Sequence, residues 1–340
     1  MTLRVLHLVG SAVSDFLCDL SRLYAEDCLR ATADADRYEF HIAYVTPDGR
    51  WRFPTDLGPT AIRAATPMPP GRAVEHLTGL GVDVVVPQMF CPPGMTSYRA
   101  LFDVLAIPYV GNTPDVMAMG THKARARAVV AAAGVPVPPG ETLRPGQRPS
   151  VPPPAVVKPV DGDNSLGVGL VRDERDFDAA LATAFADSAE ALVEAYVELG
   201  REVRCGVLER DGELLCLPLE EYDVDAVTKP IRSHEDKVRR DERGELNLVA
   251  KDATRAWLVD PGDPVTQRVW DLAKRCHVAL GCRHYSLFDF RIDPSGQPWF
   301  LEAGLYCSFA EKSVVAVMAR AAGIPLAELF DTMLQEALVR

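Results

Sequence analysis

Basic residues are in deficit: 36 Lys and Arg face 48 Asp and Glu, a net charge of −12 over 340 residues. A bulk nucleic-acid binder needs a basic face to displace counterions, so that class is set aside, although a local basic pocket for phosphate is not. No apolar stretch approaches the ~20 residues that span a bilayer. The opening segment, Met1 to Gly10, has one Arg and only the short run VLHLVG, less than a secretory leader requires; a buried first strand is expected. The cysteines (Cys18, Cys28, Cys91, Cys205, Cys216, Cys276, Cys282, Cys307) include no CxxC pair, and in a chain this long they read as reduced, mostly buried thiols of a cytoplasmic protein. A lone cysteine such as Cys307 is read as packing rather than as a nucleophile. No repeat of 20–50 residues is visible, and the phosphate loop GxxxxGK[ST] is absent. What is present is an ordinary globular composition, 48% hydrophobic and 25% charged, long enough for two or three domains.

The first third alternates strand and helix patterns. Arg4–Val9, Glu39–Thr46, Val82–Pro87 and Ile107–Val110 read as strands, Ser14–Ala31 and Tyr98–Ala106 as helices, which together predict an open doubly wound α/β unit. The continuous apolar run VDVVVP fits a parallel strand covered on both faces. Lys123–Ala133 reads as a helix. Val135–Pro154 is dense in Pro and Gly, which prevents helix and confines strands to edges; it is the expected passage into a second domain. Strands Ala155–Pro159 and Gly167–Val171, helix Glu174–Ala186 and strand Ala191–Tyr196 follow, then a hairpin, Val203–Leu208 with Leu214–Leu219, about Asp211-Gly212. Asp223–Pro261 is charged and without a long apolar period, and is expected to be a mobile lid. Helix Val265–Leu280, strands Ser286–Ile292 and Pro298–Leu301, and helices Ser313–Ala322 and Leu326–Ala337 complete the chain.

Three segments carry chemistry. In VVKPVDGDNSLGVGLV, Val156 to Val171, Lys158 projects from a strand and a polar Gly-containing loop follows. Backbone N–H groups of such a loop approach phosphate oxygens closely because glycine has no Cβ, and the lysine adds a compact positive charge. A hairpin turn beside a snorkelling lysine has the same pattern, so both readings stand. In ALVEAYVELGREVRCGV a strand ends in Glu194 and a second acid, Glu202, follows. One suits an adenine amino group and the other ribose hydroxyls, with backbone groups near Val197 on the base edge; two solvated glutamates are the alternative. In SLFDFRIDPSGQPWFLEAG, Asp289 and Glu302 lie in adjoining apolar strands, where alternate residues share a face. Paired carboxylates repel unless a cation separates them, and Mg2+ beside nucleotide phosphates meets that need.

Taken in order, these segments resemble the ATP-grasp superfamily, specifically the D-alanine–D-alanine ligases, from about Val110 to Ala322 and more weakly before it. The resemblance implies an α/β ATP-grasp fold: an N-terminal doubly wound (pre-ATP-grasp) domain over residues 1–120, a small central subdomain over 121–200, and a C-terminal subdomain over 201–340 with the metal site and the lid, about 223–261. It implies ATP and Mg2+ as cofactors. ATP falls to Lys123 (in THKARARAVVAAAGVPVP), Lys158, the loop Asn164-Ser165-Leu166-Gly167, Glu194 with Val197, and Glu202; Mg2+ falls to Asp289 and Glu302. Ser313 matches a serine that meets the second substrate's carboxylate. Lys158, Ser165 and Lys237 are the expected catalytic residues, and Gln88, Ser308 and Ser313 the expected substrate contacts.

The departures lie on the substrate side. Where the family has an Arg two residues before its metal Asp, this chain has Leu287; where it has an Asn two residues after its metal Glu, this chain has Gly304. Its PGMT-like segment becomes Tyr306-Cys307-Ser308-Phe309, and its His-Gly…Glu-Asp-Gly loop becomes PQMFCPPGMT, Pro87 to Thr96. SRLYAEDCLRATAD, YVTPDGRWRFP, PQMFCPPGMTSYRALFDVLAIPYVGNTPDVMA and LEAGLYCSF look like the ligases of mycosporine-like amino acid biosynthesis, a branch of the same family. That implies attachment of threonine, serine or glycine to mycosporine-glycine through a phosphorylated intermediate. A peptide-forming ligase for another amino-acid pair and a nucleotide-binding protein without catalysis are the alternatives. The expected partners are a small-molecule acceptor and an amino acid, with no nucleic acid and no membrane; homodimerisation is left open.

Overall fold

Six consecutive buried residues end β1 (Leu3–Gly10), the pattern of a strand covered on both faces. A computed structural model describes residues 2–161, 166–186, 188–231, 238–240, 246–248 and 255–339. After β1 come α1 (Asp15–Ala31), β2 (Tyr38–Val45), β3 (Trp51–Arg52), α2 (Pro59–Ala64), α3 (Pro70–Gly79), β4 (Val84–Pro87), α4 (Pro92–Met95) and α5 (Ser97–Val104). The strands form one sheet in the order β3-β2-β1-β4, parallel except for β3 at the edge. Ser14 starts α1 by accepting a hydrogen bond from the Leu17 amide, a cap worth about 1 kcal/mol. The strand expected at Ile107–Val110 contributes only one parallel bridge, Val85 to Tyr109. Val85 bonds Pro108 and Val110, but Pro108 has no N–H with which to extend a ladder.

The second unit follows α6 (Pro114–Gly120) and α7 (Lys123–Ala132), with β5 (Gly140–Leu143), β6 (Ala155–Pro159), β7 (Gly169–Val171), α8 (Phe177–Phe185) and β8 (Ala191–Ala195). Its antiparallel sheet has the order β5-β8-β6-β7. The Pro-rich passage thus supplies only an edge strand, β5. Phe177, Leu181 and Ala184 of α8 pack on Val157 and Val193. The apolar residues of α7, Ala126 and Val130, belong instead to the core of the third unit.

That third unit comprises β9 (Arg201–Arg210), β10 (Glu213–Cys216), β11 (Glu220–Tyr222), β12 (Val238–Arg240), β13 (Leu246–Leu248), β14 (Ala256–Leu258), α9 (Pro264–Leu280), β15 (Tyr285–Ile292), β16 (Pro298–Gly304), α10 (Val314–Ala321) and α11 (Leu326–Val339). Its large sheet runs β14-β11-β9-β15-β16, with β10 beside β9. Asp211 and Gly212 both have positive φ, at 54° and 78°, the turn that two-residue hairpins require. One sheet face sends Val203, Cys205, Phe288 and Phe290 against α9. The other sends Leu208, Tyr285 and Leu287 into a seam with α10 and α11 that also holds Val5 and Val84 of the first sheet.

The expected lid is shorter than its predicted span. Ala256–Leu258 pairs with β11 and Val259 is buried, so the far end of Asp223–Pro261 is anchored in the sheet. β12 and β13 pair with each other. Residues 232–237, 241–245 and 249–254 of the span lie outside the described residues.

Candidate active site

On the central sheet, Val156 of β6 faces Glu194 of β8, which puts Lys158, two residues on, diagonally beside that acid on the same face. Lys158 Nζ lies 2.5 Å from Glu194 Oε2, and Arg127 Nε lies 3.2 Å from Glu194 Oε1. Lys158 and Glu194 are both buried, so each compensates the other's desolvation; removing one partner of such a pair leaves an uncompensated charge. Gly167 has φ +72°, and a Cβ there would meet Pro159 at 3.0 Å, so this end of the polar loop requires glycine. Asn164 and Ser165 lie outside the described residues, as does Lys237.

On the large sheet, register arranges the site in rows. Gly206, Leu287 and Gly304 lie side by side across β9, β15 and β16; Arg204, Asp289 and Glu302 form the next row; Glu202 and Arg291 face each other in the third. Arg204 grips Asp289 with both arms, Nε–Oδ1 2.5 Å and Nη2–Oδ2 3.0 Å. Burial pushes the guanidinium pKa down, but Asp289 and Tyr222 more than reverse this and hold it above its ordinary value. Arg291 Nη2 donates to Glu202 Oε2 at 2.6 Å and to the Pro230 carbonyl at 2.9 Å, and its Nη1 donates to the Val197 carbonyl at 3.3 Å. Val197, Glu202 and Pro230, which lies in the span expected to form the lid, are therefore joined through one side chain.

Lys123 opens α7, its amide held by the Val160 carbonyl. Its Nζ stands 3.8 Å from Glu302 Oε2, bringing the helix into the carboxylate row. No group of three or more His, Cys, Asp or Glu suited to a metal occurs among the described residues. Two facing carboxylates suit Mg2+ none the less, because that ion keeps several waters and takes substrate phosphate oxygens alongside one or two carboxylates. Asp289 and Glu302, directly opposed across β15 and β16, would hold it.

The residues expected to contact substrate are held differently. Gln88 is fully buried; it shares a 3.2 Å hydrogen bond with His7 Nδ1, and its amide donates to the Ser308 carbonyl at 2.8 Å. It thereby ties the first sheet to the segment after β16. Burial lowers the His7 pKa to about 4, the Gln88 bond offsetting part of the effect. Ser308 is buried, and its Oγ accepts from the Ala310 amide at 3.4 Å. Ser313 precedes α10 without a side-chain cap, its hydroxyl beside the Cys307 thiol. Burial raises that thiol to about 12, the state of an inert packing cysteine. All eight cysteines are free thiols. The rings of Tyr24 and Tyr306 flank Phe90, centroids 5.4 and 5.3 Å away.

Arg127, Arg204 and Arg291 were not among the expected site residues. For the last two the signal was available: in REVR and FDFR, charges alternate with apolar residues, so Glu202 with Arg204 and Asp289 with Arg291 share strand faces.

Residues 147–335 match the family described as D-ala D-ala ligase C-terminus. A D-alanine–D-alanine ligase of Mycolicibacterium smegmatis is 30% identical over 341 residues, covering 90% of this chain and 88% of its own. D-alanine–D-alanine ligase A of Mesorhizobium japonicum is 30% identical over 352 residues, covering 95% and 94%. This chain belongs to the D-alanine–D-alanine ligase family. The fold of the VanG D-Ala:D-Ser ligase from Enterococcus faecalis superposes with TM-score 0.77 at 21% identity, covering 99% of this chain and 100% of that one. The D-alanine–D-alanine ligase of Coxiella burnetii gives 0.75 at 20%, covering 100% and 94%. As a member of this family the chain is an ATP-dependent, ADP-forming carbon–nitrogen ligase with the ATP-grasp fold, using ATP and Mg2+. No helix among the described residues is long and apolar enough to cross a membrane.

Proposed function

We propose that the chain joins mycosporine-glycine to the amine of a small amino acid (threonine, serine or glycine), forming an iminomycosporine, ADP and phosphate. The row Gly206–Leu287–Gly304 beside Asp289 carries this reading. In the resemblance drawn above, the family has at the position of Leu287 an Arg that stabilises charge in acyl transfer, and at that of Gly304 an Asn that bears on a second metal ion. Leu287 is buried and faces a glycine across the strand pair, and a Cβ added at Gly304 would meet it only at an ordinary 3.7 Å. Packing therefore leaves room for a Cβ at Gly304, and an acceptor that passes through no acyl oxyanion has no need of the Arg replaced by Leu287.

Bound ATP with Mg2+ supplies a γ-phosphoryl group to the cyclohexenone oxygen of the acceptor. The amino acid's nitrogen then forms the new C–N bond, a proton leaves nitrogen, and inorganic phosphate departs with the former ketone oxygen. Lys158 and Lys123 place positive charge where the phosphates lie, and Glu194, Val197 and Glu202 present acceptors to the base and ribose. Ser313 is suited to hold the amino acid's carboxylate, and Gln88 and Ser308 to fix the wall of the acceptor pocket.

The test incubates enzyme, ATP and Mg2+ with mycosporine-glycine and each amino acid, following ADP release and product mass. An iminomycosporine also absorbs at longer ultraviolet wavelength than its precursor, because a conjugated imine extends donor delocalisation. D-Alanyl-D-alanine formation with no product from mycosporine-glycine overturns the reading. The names of the relatives favour a second one, a peptide-forming ligase acting on an amino-acid pair; a dipeptide mass in the same assay establishes it.

A further inference from the structure

Asp289 is suited to a divalent cation, yet both of its oxygens are engaged by Arg204. A bidentate guanidinium takes one lone pair of each oxygen, and a divalent cation bound to the same carboxylate repels it. Glu302 likewise has Lys123 Nζ at 3.8 Å, so each carboxylate of the row has a cation of the chain beside it. A divalent ion brings enough charge to displace one of these, and it arrives with the polyphosphate it neutralises. The guanidinium that gives up Asp289 is then next to new anionic oxygens, and its planar fork matches phosphate as well as carboxylate. Arg204 is placed for that transfer. It lies one strand spacing, about 4.8 Å, from Asp289, over the Tyr222 ring at 5.2 Å with its side chain 14% exposed.

We propose that Arg204 is a phosphate-binding residue held in reserve on Asp289. When the metal–nucleotide complex takes over Asp289, the guanidinium passes to the phosphates. The proposal rests on the reading of Asp289 as a metal ligand, and the experiment separates the two.

Calorimetry measures ATP binding to the purified enzyme, once with excess Mg2+ and once in EDTA, for wild type, Asp289→Asn, Arg204→Met and the double variant. With Mg2+, Asp289→Asn is expected to weaken binding; wild-type affinity there removes Asp289 from the metal site and fails the underlying reading. In EDTA, Asp289→Asn should tighten binding because Arg204 is released. Removing a negative charge attracts ATP in any background, and that Coulomb contribution is additive. Release of Arg204 is not, so a double-mutant cycle isolates it. The gain from Asp289→Asn should be about tenfold larger with Arg204 present than in Arg204→Met, the size of a charge-assisted contact. Equal gains in the two backgrounds, within about twofold, overturn the proposal. Arg204→Lys provides a second background that keeps the charge and the fold but lacks the fork; its gain should fall toward that of Arg204→Met, and a gain equal to wild type likewise overturns it.

Discussion

Along β15, Arg291 and Asp289 each face an opposite charge on β9, whereas two residues before Asp289, Leu287 lies between Gly206 and Gly304. One strand thus carries charged rows and, a step further, an apolar one, which in the proposed reading serve the nucleotide and the acceptor. The same contrast holds off the sheet. The nucleotide side has Lys158, Glu194 and Arg127 in contact. The acceptor side has Phe90 between two tyrosines, with a neutral Gln88 tie behind it. Phosphate chemistry demands fixed charges whatever the substrate. Specificity resides in shape and in the absence of groups, so it can be altered without disturbing the charged rows.

The largest effect should come from the metal row. Asp289→Asn and Glu302→Gln are each expected to reduce turnover by roughly a thousandfold, since a metal clamp supplies several kcal/mol at the reacting phosphate. The melting temperature should stay close to wild type for Glu302→Gln and fall for Asp289→Asn, which leaves the bidentate Arg204 without its anion. ADP release measured across a Mg2+ titration checks this, and wild-type turnover at limiting Mg2+ for either variant removes that acid from the site. Next in size, Lys158→Ala should weaken ATP binding by ~1.5–3 kcal/mol, as loss of a charge-assisted phosphate contact does. Lys123→Ala should cost less, because Lys123 stands 3.8 Å from Glu302 whereas Lys158 is in close contact with Glu194. Near-normal ATP affinity in both would return these lysines to structural duty. Together these variants ask whether the charged half can be broken while the acceptor half is untouched.

The acceptor half has a different weakness, its dependence on buried neutral groups. His7 is fully buried with its pKa lowered to about 4 by burial. In the unfolded chain it titrates near 6.5, so between those values the unfolded state binds more protons and stability rises with pH. Its contribution is complete above pH 6.5 and lost as pH falls toward 4; at pH 5 the loss is about 2 kcal/mol. Chemical denaturation at pH 7 and pH 5 measures it, and His7→Gln should remove most of the difference. An unchanged difference in that variant assigns the acid sensitivity to other groups.

Local pattern revealed much of this in the sequence, and the rest depended on register. Lys158, Glu194, Asp289 and Glu302 stand out because charge within an apolar strand is unusual. Hidden was the pairing that aligns Arg204 with Asp289 and Arg291 with Glu202, since β9 and β15 are some eighty residues apart and a one-residue slip would reverse every face. The strand expected at Ile107–Val110 reduces to a bridge because Pro108 interrupts the ladder. β14 was missed because AWL is short and follows a charged stretch, where only pairing with β11 makes it a strand. Gln88 was expected as a substrate contact; its burial and its bond to the Ser308 carbonyl join positions 220 residues apart, which no local pattern encodes.

The smallest expected effect tests the acceptor wall most directly. Phe90 lies in Pro87–Thr96, the segment that departs most from the family pattern, and it joins Tyr24 of α1 to Tyr306 beyond β16. An aromatic pair contributes about 0.5–1.5 kcal/mol beyond its buried area. Phe90→Leu keeps most of the volume but loses the ring faces, so the acceptor's KM should rise about three- to tenfold. The KM for ATP should stay within about twofold, because the charged rows are built on β9, β15 and β16 whereas Phe90 packs between Tyr24 and Tyr306. Steady-state kinetics with each substrate varied in turn give both numbers. If the two constants rise together, the aromatic cluster positions the domains for the nucleotide as well, and the division between the halves is less sharp than the strand faces suggest. If only the acceptor's rises, the ring wall is where this chain and its peptide-forming relatives part, and Phe90 is the first position to vary when exchanging one acceptor for another.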